Sequence, residues 1–174
     1  MSYLNVEIKA KCGDPSFIRD YLLKQQADFK GTDEQTDTYF NVVNGRLKIR
    51  EGQIENNLIY YERPDQAGPK PSSFQLVKLE DAAGLKEALT RSIGIKVIVK
   101  KRREIYYIAN VKFHIDEVAG LGTFIEIEAG NIMADLSHEQ LLEQCKIYLS
   151  AFRIDPVQLV EVSYSDMLMK EFVI

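Results

Sequence analysis

The chain predicts an α+β fold in which antiparallel strands are covered on the outside by helices. Three observations predict it. Several segments alternate with period two, the strand signature. In each, one face is charged and the other apolar, as in Asn5-Val6-Glu7-Ile8-Lys9-Ala10-Lys11. Between them lie stretches with helical spacing and recognisable caps, whose apolar stripes can cover the apolar strand faces. An open α+β sheet with its charged faces in solvent satisfies this pattern. So does a closed barrel with the charged faces turned inward. A small filled barrel wants an apolar interior, so a charged lumen implies a ligand there.

The elements follow in order. A first strand covers Asn5 to Lys11, with Val6, Ile8 and Ala10 on its apolar side. Asp14-Pro15 reads as an N-cap with proline at the first helical position, and Phe17, Ile18, Tyr21 and Leu22 recur at helical spacing, giving a helix over about 15 to 28. Strands are expected at about 35 to 43, 46 to 52 and 56 to 63, with Asn44-Gly45 as a two-residue hairpin turn. Pro64 to Ser73, with three prolines and Gly68, reads as a loop before a strand over Phe74 to Leu79. Asp81 caps a second helix to about Arg91, and Gly94 marks its end. Strands return at 95 to 108, 111 to 117 and 123 to 129. Ser137-His138-Glu139-Gln140 is a capping box for a helix to Ala151, and a short last helix covers 163 to 172.

Length and composition set bounds. At 174 residues, 45% hydrophobic and 28% charged, the chain reads as one globular domain over 1–174. No apolar stretch approaches the roughly 20 residues that span a bilayer, and the start lacks the basic and apolar regions of a signal peptide, so a cytoplasmic protein without a membrane partner is expected. Cys12 and Cys145 have neither CxxC spacing nor a histidine cluster nearby and read as packing residues. A net charge of -4 argues against bulk nucleic-acid binding, yet basic residues gather at Arg46/Lys48/Arg50 and Lys100 to Arg103. A small polyanion suits such local clusters.

The sharpest feature is Asp116 to Glu128, a strand-turn-strand unit whose second arm aims Phe124, Glu126 and Glu128 to one side. Two carboxylates on one face suit a divalent cation. The ordered segments Glu7-Ile8-Lys9, Asp37-Thr38-Tyr39, Gly45-Arg46-Leu47-Lys48-Ile49-Arg50, Tyr61-Glu62-Arg63-Pro64, Lys101 to Tyr106, the Asp116 to Glu128 unit, and Ser163-Tyr164-Ser165-Asp166 resemble the CYTH family of triphosphate tunnel enzymes. This group includes class IV adenylate cyclases and thiamine triphosphatase. The resemblance covers nearly the whole chain and implies a closed eight-stranded antiparallel β-barrel with a charged tunnel and helices packed outside. One position departs from the family signature Glu-x-Glu-x-Lys: Asn5 stands where the first Glu is expected. Asparagine remains an oxygen ligand but brings no charge.

The resemblance implies roles by position. Lys9, Lys48, Arg50, Arg63, Lys101 and Arg103 hold phosphates, with Lys78 and Arg46 as weaker candidates. Alternation by itself leaves the pairs Lys100/Arg102 and Lys101/Arg103 open; the family's arginine-x-x-aromatic spacing to Tyr106 selects the second. Glu7, Glu126 and Glu128 bind Mg2+ or Mn2+, and Glu7, Lys9, Asp116 and Arg103 make up the catalytic set, with Asp116 orienting a metal-bound water or pairing with a tunnel cation. A triphosphate carries roughly four negative charges, and its chemistry needs positioning and charge stabilisation above all. His114 is expected as a structural or lumen-lining residue and His138 at the surface. Tyr39, Tyr61 and Tyr106 are expected to pack or hydrogen-bond along the tunnel wall.

The leading reading is therefore a class IV adenylate cyclase-like enzyme converting ATP to cyclic AMP and pyrophosphate, with a homodimer implied by cyclase-like relatives. Ser163 to Asp166 and the short stretch before the first strand resemble that branch. Two alternatives are a triphosphatase acting on thiamine triphosphate, a nucleoside triphosphate or inorganic tripolyphosphate, and a triphosphate-binding module with little turnover, motivated by Asn5.

Overall fold

The computed structural model describes residues 3–132 and 135–171. Its strands are β1 (Tyr3–Lys11), β2 (Asp28–Phe40), β3 (Arg46–Glu51), β4 (Asn57–Glu62), β5 (Lys70–Lys78), β6 (Ile95–Ile108), β7 (Val111–Val118) and β8 (Gly122–Gly130). The α-helices are α1 (Ser16–Lys24), α2 (Ala82–Ile93), α3 (His138–Ala151) and α4 (Tyr164–Glu171). The strands form a closed antiparallel ring in the order β1-β5-β4-β3-β2-β6-β7-β8, closed by β1 against β8. Two meanders, β2 to β5 and β6 to β8, are thus joined along β2–β6 and bridged by β1.

The apolar strand faces point outward. Val6, Ile8 and Ala10 of β1, Phe113 and Ile115 of β7, and Ile125 and Ile127 of β8 are buried beneath Ile18 and Leu22 of α1 and Leu141 and Cys145 of α3. A second cover forms where α2 packs with Phe40 and Ile49. Cys12 and Cys145 are free and buried, as expected of packing residues. The expected caps are present: Asp81 accepts from the Gly84 N–H, Gly94 ends α2 at φ 78°, and the Ser137/Gln140 capping box is complete. No helix among the described residues is long and apolar enough to cross a membrane.

Four boundaries differ from expectation. Helix α1 stops at Lys24, and β2 starts at Asp28 instead of about 35. The first half of β2 is too polar to announce itself, but its partner β6 supplies a continuous ladder from Asp28↔Tyr107 to Phe40↔Ile95. The connection to β3 runs over residues 41–45 instead of a two-residue turn. Gly45 serves it in two ways, taking φ 63° and leaving room for the Tyr60 ring, which would sit 2.8 Å from an added Cβ. Strand β5 begins at Lys70, inside the expected loop. Residues 70–72 pair with β1 but not with β4, whose pairing starts at Ser73. Such an edge tolerates Pro71.

Candidate functional site

Closing the ring turns the faces that carry Glu7 and Lys9, Lys48 and Arg50, Lys101 and Arg103, and Glu126 and Glu128 inward, onto a cavity of about 130 Å³. One water needs only about 10–15 Å³, so this space can admit a chain of polar groups. Seven cations line it, Lys9, Lys48, Arg50, Arg63, Lys101, Arg103 and Lys112, against five carboxylates, Glu7, Asp37, Glu55, Glu126 and Glu128. A sixth carboxylate, Asp116, lies behind Arg103. The six leading phosphate-holding candidates therefore meet in one cavity, with a cationic excess, whereas the weaker candidates Lys78 and Arg46 line neighbouring pockets instead.

Asp37 of β2 is the hub. Arg50 grips it with two prongs, Nε to Oδ1 at 2.8 Å and Nη2 to Oδ2 at 2.9 Å, and Lys48 and Lys101 each reach Oδ2 at 2.8 Å. Burial alone would raise this carboxyl; Arg50, Lys101 and Lys48 outweigh it and hold Asp37 well below the usual carboxylate range. Lys101, fully enclosed, is pushed down to about 7 by burial, against the pull of Asp37.

Opposite lies a second hub. Arg103 donates to Asp116 at 2.6 and 2.5 Å and to Glu126 at 3.0 Å, while Lys9 reaches Glu126 at 3.0 Å. Asp116 thus pairs with a tunnel cation, one of its two expected roles. Tyr164 of α4 donates to Asp116 at 2.8 Å, and its ring lies 3.8 Å from the Lys9 ammonium. His114 lines the cavity and contacts Glu126 through Nδ1 at 3.2 Å. Burial, together with Arg103 and Lys112, pushes its pKa down to about 4, so the imidazole is neutral. Because Glu126 is held ionised by Lys9 and Arg103 against burial, Nδ1 carries the hydrogen by assignment.

The expected metal carboxylates lie side by side on β1 and β8, where Glu7 is directly opposite Glu128 and Lys9 opposite Glu126. Glu7 is ion-paired to Arg63 and Glu126 to Lys9 and Arg103, whereas Glu128 accepts a hydrogen bond from Asn5 Nδ2 at 2.7 Å. Burial raises the Glu128 carboxyl, with Glu7 and Glu126 adding to the rise against Lys112. Among the described residues, the Asn5 side-chain carbonyl oxygen is buried without a hydrogen-bond partner. Oxygen donors of this kind suit a hard divalent cation. Among the described residues, no three acidic, histidine or cysteine side chains already converge on one metal position. The ion pairs of Glu7 and Glu126 account for that, because a cation must take these oxygens from Arg63, Lys9 and Arg103.

Other contributors carry no role in the sequence reading. Glu55, from the β3–β4 turn, reaches into the tunnel to bind Arg50 at 2.8 Å, Gln35 at 2.9 Å and Lys112. Asp33 fixes that turn by accepting from the backbone N–H groups of Gln53, Ile54 and Glu55 at 2.8, 3.2 and 3.0 Å. Gly52 permits the approach, since a Cβ there would collide with the Asp33 carboxylate. Asp33 and Gln35 lie in a stretch polar on both faces, and Glu55 in an irregular turn, so none of them left a periodic signal. Two expectations are corrected. Tyr106 faces outward, bonded to Glu104 at 2.9 Å and stacked on Phe29, because odd-numbered positions of β6 face the lumen. Arg46 lies at the tunnel end, held by Asp65 and Asp166 at 3.0 Å each. Tyr39 and Tyr61 do lie in the wall, with hydroxyls 3.5 Å apart.

Known proteins share this arrangement. The PH1012 protein from Pyrococcus horikoshii matches with a TM-score of 0.80 at 22% identity, over 93% of this chain and 98% of that one. A protein from Hippeastrum, named a "putative adenylyl cyclase" and described as having a dominant triphosphatase activity, matches with a TM-score of 0.62 at 15% identity, over 98% and 97%. At these identities the two establish a common fold. In sequence, a Methanocaldococcus jannaschii protein named "putative adenylate cyclase" is 28% identical over 176 residues, spanning 94% of this chain and 98% of its own length. The family model described as the CYTH domain matches residues 4–150, within which lie both hubs, the Glu7/Glu126/Glu128 group and the seven tunnel cations. The chain belongs to the CYTH domain family.

Proposed function

We propose that the tunnel binds the phosphate chain of a small organic triphosphate together with Mg2+ or Mn2+ and acts on it as a class IV adenylate cyclase does, releasing cyclic AMP and pyrophosphate from ATP. One observation carries the reading: seven cations from β1, β3, β6, β7 and the residue after β4 face a single cavity, and the protein's own carboxylates hold them in place. The name borne by the Methanocaldococcus jannaschii relative supports the cyclase chemistry.

The residues act by exchange of partners. Lys48, Arg50 and Lys101 hold phosphate oxygens in place of part of their contact with Asp37, Arg50 gripping two oxygens at once and the lysines acting as point charges. Arg63 and Lys9 turn to phosphate as Glu7 and Glu126 are drawn away. Glu7, Glu126 and Glu128 would hold the divalent ion, with the Asn5 carbonyl oxygen as a neutral donor. That ion supplies charge neutralisation of phosphate oxygens and of the leaving group. Asp116 and Tyr164 keep the Arg103 fork aimed, so it needs no rearrangement when charge develops.

The test is to incubate the pure protein with ATP, thiamine triphosphate or inorganic tripolyphosphate, each with Mg2+ or Mn2+, and resolve cyclic AMP, pyrophosphate and phosphate. Cyclic AMP with pyrophosphate and no phosphate is the expected outcome. Phosphate alone identifies hydrolysis in the same tunnel and rejects the cyclase. Binding without any product leaves a triphosphate-binding module.

A further inference from the structure

His114 stands on the inward face of β7, one position from Lys112 and one from Asp116, and directly opposite Glu126 of β8. The residue is 1% exposed, and its two ring nitrogens meet different surroundings. Nδ1 gives its hydrogen to Glu126 at 3.2 Å, whereas Nε2, among the described residues, is buried with no hydrogen-bond partner. On the other flank β6 sets Ile105 opposite His114, an aliphatic side chain that offers nothing to a ring nitrogen. Nε2 lies at the distal edge of the imidazole, farther from the backbone than Nδ1, and so reaches further towards the lumen.

With the hydrogen on Nδ1, Nε2 presents a lone pair and can only accept. A buried acceptor left bare costs free energy, so its persistence in a ligand-binding passage points to a donor brought by the ligand. Few donors suit it. Phosphate oxygens and carboxylates present lone pairs of their own. A cation at Nε2 is opposed by Arg103 and Lys112, whose positive charges already bear on the ring. A neutral O–H remains, and in a triphosphate reaction the one that belongs beside the phosphates is the attacking hydroxyl, the ribose 3′-hydroxyl in the cyclase reaction.

We propose that Nε2 of His114 accepts a hydrogen bond from the hydroxyl that attacks phosphorus, and holds that oxygen in line with the leaving group while Glu126 holds the ring. His114 is thereby a further catalytic residue of the reaction proposed above, on which this inference rests. Its part is to orient the nucleophile; the cations hold the phosphates.

Two substitutions separate the ring nitrogens. His114→Asn keeps a donor at the Nδ1 position for Glu126 and has no atom at Nε2, whereas His114→Gln places a side-chain carbonyl near Nε2 and gives up the Glu126 contact. The experiment measures ATP turnover, by whichever product the wild type releases, and calorimetric binding of tripolyphosphate with Mg2+ at low temperature. His114→Asn is expected to lower kcat by about tenfold or more, the worth of a well-placed hydrogen bond, with KM and tripolyphosphate affinity within about twofold of wild type. His114→Gln should recover part of that loss. Gln performing no better than Asn, the order expected of a ring that only supports Glu126, overturns the assignment. So does full turnover by His114→Asn, or a loss that appears in KM or in tripolyphosphate affinity. Tripolyphosphate binding to the wild type without any turnover of ATP defeats the enzymatic reading of the tunnel, and the assignment falls with it.

Discussion

Asp37 and Arg50 form a two-pronged ion pair in the interior of the barrel, with 2.8 and 2.9 Å contacts, and the same carboxylate carries Lys48 and Lys101. One acid thus restrains three cations that burial would otherwise set against each other. Removing one member of a buried pair costs far more than the pair contributes, because the remaining charge is left uncompensated. Asp37→Asn is therefore expected to lose about 3–5 kcal/mol in urea unfolding. Tripolyphosphate should restore more stability to the variant than it adds to the wild type, since it supplies the missing counter-charge. Equal ligand-induced shifts would refute this account of the hub.

Lys101 makes the tunnel sensitive to pH near neutrality. Its folded pKa of about 7 lies below the ordinary 10.5, so between these values the unfolded chain binds a proton that the folded chain has released. Stability from this group therefore rises with pH across that window, by up to about 1.4 kcal/mol per unit. Anion affinity runs the other way, because a triphosphate needs the charged ammonium. Tripolyphosphate binding should weaken from pH 6 to 8 in the wild type and flatten in Lys101→Met; an identical profile in the variant would assign the titration elsewhere.

Glu55 occupies Arg50 and Lys112 as a phosphate oxygen would. Glu55→Gln should bind tripolyphosphate about tenfold more tightly, a gain of one released charge, while lowering the unfolding midpoint of the free protein. Weaker binding would mean that Glu55 positions these cations for the ligand instead of competing with it.

Glu126 and Asn5 test the metal wall. Glu126→Ala should reduce metal-dependent turnover more than about a hundredfold, and retained turnover would contradict its role. Asn5→Glu exchanges the donor that holds Glu128 for a further carboxylate, so direct Mn2+ titration should show tighter binding than wild type. A large gain in turnover with it would mark the natural site as degraded; unchanged, robust activity would remove that idea.

The candidate site was legible wherever a residue lies on a regular strand. Glu7, Lys9, Lys48, Arg50, Lys101, Arg103, Glu126 and Glu128 all follow period two, and ring closure brings them to the same lumen. Tyr106 was misplaced because, within Lys100 to Tyr106, charge alternation by itself leaves the inward parity open, and the aromatic was assigned to the wall by spacing. The start of β2 was missed for a related reason. Its residues gain their strand geometry from hydrogen bonds to β6, a partner more than sixty positions away, and not from any local apolar pattern.

The sequence by itself determined the alternation of charged and apolar strand faces, the helix caps, the inert cysteines and the order of the basic and acidic segments, since each depends on neighbours a few residues apart. Only the tertiary structure decided that the ring closes, that Asp37 gathers three cations and Asp116 the Arg103 fork from other strands, that Asp33 folds Glu55 inward, and that Tyr164 of α4 reaches Asp116 and Lys9. Those relations join residues distant in the chain. Their energies come from burial and from partners that only ring closure brings together, where a charge without its counter-ion is too costly to leave exposed to the low-dielectric interior.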